Sequence, residues 1–63
     1  MTEIEIFKYY YNLGFENASK DVMIDWFEKE SYKVAYIQGV LDFKNNKNLD
    51  FSLALDLINK KIK

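Results

Sequence analysis

The chain has 63 residues with a net charge of −1, and it contains no cysteine, no histidine and no proline. A domain of this size buries only about 60% of the surface its unfolded form exposes, and small domains are usually reinforced by disulfides, a metal or oligomerisation. The composition excludes disulfides and removes the Cys and His ligands of zinc, haem and iron–sulfur sites, which leaves an aromatic-rich core or a partner chain.

Hydrophobic residues make up 49% of the chain and aromatics 17%, too much apolar surface for a disordered segment. The small net charge hides an asymmetry. Residues 1–30 balance to −4 and residues 31–63 to +3, with Lys60, Lys61 and Lys63 crowded at the end, where they complement a helix C-terminus. All nine basic residues are lysine. Arginine is the side chain that grips phosphate and guanine edges in bidentate fashion, so its absence weighs against sequence-specific DNA binding. The abundance of Phe, Tyr, Ile, Asn and Lys is what AT-rich coding sequences produce, as in low-GC bacteria, their phages and mobile elements. No apolar run reaches the length of a membrane span, and the acidic opening Thr2-Glu3-Ile4-Glu5-Ile6-Phe7 does not resemble a signal peptide. The expectation is a soluble cytoplasmic protein with no membrane contact.

Residues 2–13 read as an amphipathic helix. Thr2 followed by Glu5 is a capping-box pattern, and Ile4, Ile6, Phe7, Tyr10, Tyr11 and Leu13 fill one half of the helical wheel, with Tyr9 at its edge. Gly14 stands where a left-handed C-cap belongs, with Phe15 placed to fold back on Tyr10. Residues 15–18 then form a connector, and Ser19 is an N-cap for a helix beginning near Lys20.

The central stretch, residues 20–44, has two readings. As one helix of about 37 Å it keeps Val22, Met23, Trp26, Phe27, Val34, Ile37, Val40 and Leu41 on one face, with Glu30 in the middle of that stripe. A break near Glu30–Ser31, with Ser31 capping a second helix, releases Glu30 to water and is favoured. Residues 44–48 form a polar loop, and Asp50 caps a last helix over residues 51–62 that lines up Phe51, Ala54, Leu55, Ile58 and Ile62, with Leu57 beside them. Asp56 and Lys60, four residues apart, make a solvent-side pair. No segment alternates with period two between turn signals. The fold class is all-α, a small three- or four-helix bundle in a single domain.

Catalysis has little to work with. The commonest general base and the commonest strong nucleophile are missing, the two glycines are too far apart for a phosphate loop, and an i, i+4 pair such as Asp21/Asp25 is ordinarily a solvated face rather than a metal site. The chain reads as a non-enzyme that needs no cofactor or metal. A helix-turn-helix regulator would use the helix after Ser31 for recognition, with only Lys33 and Lys44 as cations and Asp42 between them, a weak electrostatic footprint for nucleic acid.

A second stripe on the central segment carries more information. Asp21, Asp25 and Glu28 share one line with Tyr32, Tyr36 and Phe43, acidic first and aromatic after. Either the last helix covers Tyr32, Tyr36 and Phe43 as core, or the stripe, together with Tyr9, meets another protein, since aromatics concentrate at interfaces and acids steer toward a basic partner. Eleven aromatics are more than a 63-residue core readily hides. The expected function is therefore a small protein-binding module acting as inhibitor, adaptor or accessory factor. Its expected partner is a basic protein surface or a second copy in a homodimer. The alternatives are the DNA-binding regulator and a purely structural homo-oligomer.

Overall fold

A computed structural model describes residues 2–45 and 48–62, and among them there are three helices and no strand: α1 (Glu3–Ser19), α2 (Glu30–Lys44) and α3 (Phe51–Ile62). α1 and α2 form the main packed pair; α3 lies chiefly against α2 and touches α1. The start signals act as the sequence predicts. Thr2 Oγ1 accepts a hydrogen bond from the Glu5 amide at 3.2 Å, and Asp50 Oδ1 accepts from the Leu53 amide at 3.4 Å. Each bond satisfies an amide that the helix itself leaves unpaired.

The expected end of the first helix is wrong, and the reason is tertiary. Gly14 does not cap; α1 runs through it and through the supposed connector to Ser19. A Cβ on Gly14 would stand 2.0 Å from the backbone carbonyl oxygen of Tyr36, and one on Gly39 would stand 2.1 Å from that of Tyr11. The two glycines therefore mark the crossing of α1 and α2, where backbone meets backbone. Each costs roughly 0.8–1 kcal/mol in helix propensity, which the close packing of the two helices offsets.

α1 ends in a Schellman turn seven residues beyond Gly14. The Val22 amide donates to Asn17 O at 2.9 Å and the Asp21 amide to Ala18 O at 3.3 Å, with Asp21 in the left-handed region at φ 57°. Ser19, expected to cap a new helix, instead closes the old one by donating from Oγ to Glu16 O at 2.6 Å. No helix starts near Lys20; residues 22–29 are irregular and α2 begins at Glu30, at the expected break. Lys29 rather than Ser31 occupies the N-cap position, and no side chain bonds to the amides there. α2 ends at Lys44 with Asn45 as C-cap. The predicted loop thus begins on time, although its residues 46 and 47 lie outside the described residues.

The core is mostly aromatic. Phe7 and Tyr11 from α1, Tyr32, Ala35, Tyr36 and Val40 from α2, and Ala54 and Ile58 from α3 are buried. Tyr10 stacks on Tyr32 at 5.1 Å between ring centroids, and Phe7 meets Tyr32 edge-on at 6.3 Å. The inward face of α2 is thus rotated from the one hydropathy suggests, although Val40 is buried as expected. Tyr32, Tyr36 and Gly39 face α1, whereas Ile37 and Leu41 point to solvent and Val34 is half-buried. Gly39 decides the rotation, because only the face carrying it can approach α1 so closely. On α3, Ala54 and Ile58 are buried as expected and Phe51 and Leu55 half-buried, but Leu57 and Ile62 are exposed. The Asp56–Lys60 pair forms at 3.6 Å in solvent, where such pairs add tenths of a kcal/mol.

Three substitutions check this architecture. Gly14→Ala and Gly39→Ala should each destabilise by about 2 kcal/mol or more, overpacking outweighing the gain in helix propensity, as read from urea midpoints. Asp21→Gly should stabilise by about 0.5–1 kcal/mol, because glycine adopts φ > 0 without the Cβ clash.

Candidate functional site

The segment between α1 and α2, residues 20–29, is shaped by three contacts. The left-handed turn at Asp21 redirects the chain. The Tyr36 hydroxyl oxygen then accepts from the Ile24 amide at 3.1 Å and from Asn17 Nδ2 at 3.0 Å. Phe27 inserts between Tyr36 and Tyr10, with centroid distances of 5.1 and 6.0 Å. With Ile24 and Phe27 held inward, the remaining apolar side chains of the segment face water. Trp26 is 74% exposed, Met23 64% and Val22 50%. Around them stand the exposed acids Asp21, Asp25 and Glu28, with no basic residue between Lys20 and Lys29. Lys29 closes the acidic stretch, its Nζ 5.8 Å from the centroid of the Tyr32 ring.

The proposed interface residues separate into groups. Tyr9, Glu28 and Tyr32 come together on one shallow depression of about 260 Å³ completed by Ile6 and Tyr10. Asp21 and Asp25 lie on the same segment as Glu28. Tyr32 and Tyr36 are core residues, 8% and 1% exposed, too deeply buried to serve as the expected interface contacts. Tyr32 packs against Phe7 and Tyr10 of α1, and Tyr36 against Phe27, its hydroxyl held by the hydrogen bonds from Asn17 and Ile24. Phe43 is half-buried against Phe15 at 5.4 Å and does not join the segment. Conversely Met23 and Trp26, assigned by periodicity to the core, form the exposed apolar surface. Gly39 carried the signal that could have found this, since placing it against α1 turns the Ile37 face of α2 outward and leaves no core for a helical continuation of 20–29 to enter.

A second feature ties the three helices together. Asp42, 6% exposed, accepts from the Tyr11 hydroxyl at 2.5 Å and from Gln38 Nε2 at 2.9 Å. The Tyr11 hydroxyl oxygen in turn accepts from the Asp50 amide at 3.2 Å, and Lys61 Nζ donates to Gln38 Oε1 at 3.3 Å. Burial, reinforced by the hydrogen bond to Asp42, pushes the Tyr11 hydroxyl up to about 12. Beside this network a depression of about 500 Å³ opens between Asp42, Asp50, Asp56 and the Leu53 and Leu57 side chains. No cluster of three or more His, Cys, Asp or Glu among the described residues converges closely enough to hold a metal ion, and no described helix is long and apolar enough to cross a membrane.

Compared with known protein families, curated proteins and solved structures, the chain matches none.

The Tyr11–Asp42 bond has a pH signature. Tyr11 ionises at 10.0 when unfolded and near 12 when folded, so its stabilising contribution is intact below pH 10 and is lost as pH rises toward 12. Tyr11→Phe should cost about 1–3 kcal/mol at neutral pH, because a buried carboxylate loses a donor. The gap between the two proteins in urea unfolding should narrow across that alkaline window.

Proposed function

We propose that the chain is a protein-binding module that offers the 20–29 segment to a partner with a basic surface, acting in the cytoplasm as an inhibitor, adaptor or accessory factor, and that a phage or mobile element of a low-GC bacterium encodes it. The observation that carries this reading is the position of Trp26. The largest apolar side chain of the chain stands three-quarters exposed on a segment that is held to the core through Ile24 and Phe27. Tryptophan is the residue most enriched among interface hot spots, and Met23 and Val22 extend the apolar centre. Asp21, Asp25 and Glu28 form an acidic rim that favours approach to positive charge.

Of the eleven aromatics, only Tyr9 and Trp26 are exposed. The aromatic surplus therefore reduces to these two, and the proposed surface is narrower than the predicted stripe. The duplex-binding alternative draws no comparable support. The outward face of α2 offers Lys33 and Lys44 with Ile37 and Leu41 between them, which presents more apolar surface than cations for a phosphate backbone.

Trp26→Ala separates binding from folding. Because the ring is in solvent, stability should change by less than about 0.5 kcal/mol. Affinity for a protein partner captured by the wild-type chain should fall by about tenfold or more, measured by titration of the purified pair. Unchanged affinity would move the binding surface elsewhere.

A further inference from the structure

We infer that the 20–29 segment of one copy docks on the outward face of α2 in a second copy, in a reciprocal two-fold dimer. This names a partner for the surface proposed above and rests on that reading. On α2, Lys33, Ile37, Leu41 and Lys44 follow one another at spacings of four, four and three residues, which places them on one line of the helix. All four are exposed, and the two apolar members are 36% and 38% exposed. The line is apolar at its middle and basic on either side, with the exposed acid Glu30 beyond its N-terminal end.

The 20–29 segment has the converse pattern. Val22, Met23 and Trp26 are its exposed apolar residues, interleaved with Asp21, Asp25 and Glu28. Lys20 at one end pairs with Glu16, and Lys29 at the other lies over the Tyr32 ring. Neither surface can pair with its own copy, because acid would face acid and lysine would face lysine. Each fits the other in charge and in apolar content, the complementarity that fixes orientation and suppresses wrong pairings. The two surfaces adjoin along the chain, since residues 20–29 run directly into α2 at Glu30, one turn ahead of Lys33. Neighbouring unlike surfaces suit a two-fold exchange, in which each copy gives its segment and receives its partner's. Such an exchange closes on itself and leaves no free surface to propagate a filament. A standard interface takes about 800 Å² from each partner, and the chain exposes 4587 Å² in all. Each contact offers only Ile37 and Leu41 on one side and Val22, Met23 and Trp26 on the other as apolar residues, so the pairing belongs to the weak, concentration-dependent range.

The test is charge reversal with cross-rescue, read as mass by sedimentation from about 10 μM to about 1 mM, where weak dimers form. One variant carries Lys33→Glu and Lys44→Glu, the other Asp25→Lys and Glu28→Lys. All four positions are exposed, and unchanged helical circular dichroism confirms that each variant folds. Alone, each variant meets like charge at both contacts and should stay monomeric where the wild type has doubled its mass, with affinity weakened at least about tenfold. Mixed in equal amounts, the two restore opposite charge at both contacts and should dimerise. Should either double variant unfold, Lys33→Glu and Asp25→Lys alone give the same comparison. A wild type that stays monomeric throughout, or variants that dimerise alone or fail to dimerise when mixed, would overturn the inference. A monomeric wild type that still loses a captured protein on Trp26→Ala overturns self-pairing only and leaves the protein-binding reading standing.

Discussion

The contact on which the rest of the molecule depends is the crossing of α1 and α2 at Gly14 and Gly39, where each glycine lies against the other helix's backbone. Helices that approach so closely have little freedom to rotate about their own axes. Once Gly39 faces α1, Tyr32 and Tyr36 are carried inward with it, and Ile37 and Leu41 are carried out. The buried tyrosines then need partners for their polar ends. The Tyr36 hydroxyl finds them in Ile24 and Asn17, and holding Ile24 and Phe27 inward turns Trp26 outward. The exposed apolar segment is thus a downstream result of two missing side chains.

α3 joins through a different kind of contact. It contributes few buried side chains, chiefly Ala54 and Ile58, and much of its attachment runs through the polar network around Asp42. That network links Tyr11 on α1, Gln38 and Asp42 on α2, the Asp50 amide at the start of α3 and Lys61 near its end. Apolar packing alone is marginal at this chain length. A satisfied buried network adds directional constraints that fix where α3 sits, and no buried side-chain polar atom among the described residues lacks a partner.

Local signals in the sequence were reliable where the structure is locally determined. The Thr2 and Asp50 caps follow from capping chemistry, and the buried pair Ala54 and Ile58 from helical spacing. The break before α2 follows from Glu30 interrupting an apolar stripe, without the Ser31 cap. The errors arise where a distant residue overrides the local pattern. Gly14 has the features of a helix end until Tyr36, 22 positions on, requires its missing side chain for contact. Residues 22–27 have helical periodicity, but the turn at Asp21 and the Tyr36 hydroxyl remove them from the helix. Hydropathy ranks Ile37 and Leu41 above Tyr32 and Tyr36, so a wheel drawn from it places Val40 correctly but puts Ile37 and Leu41 on the wrong side. The partners that make tyrosine and Asp42 acceptable in a core, such as Tyr11, lie 31 positions away and leave no local trace. The acidic residues of the candidate site were legible; its apolar centre was not.

The placement of the single tryptophan also determines what light can report about this protein. In most small domains the indole is buried, and its emission follows unfolding. Here Trp26 is 74% exposed in the folded chain while four of the five tyrosines are buried or half-buried. Indole emission should therefore be nearly silent when the chain unfolds and should respond when something covers residues 20–29. Folding and docking become separable optical channels within one unlabelled molecule, tyrosine and the peptide backbone reporting the first and tryptophan the second.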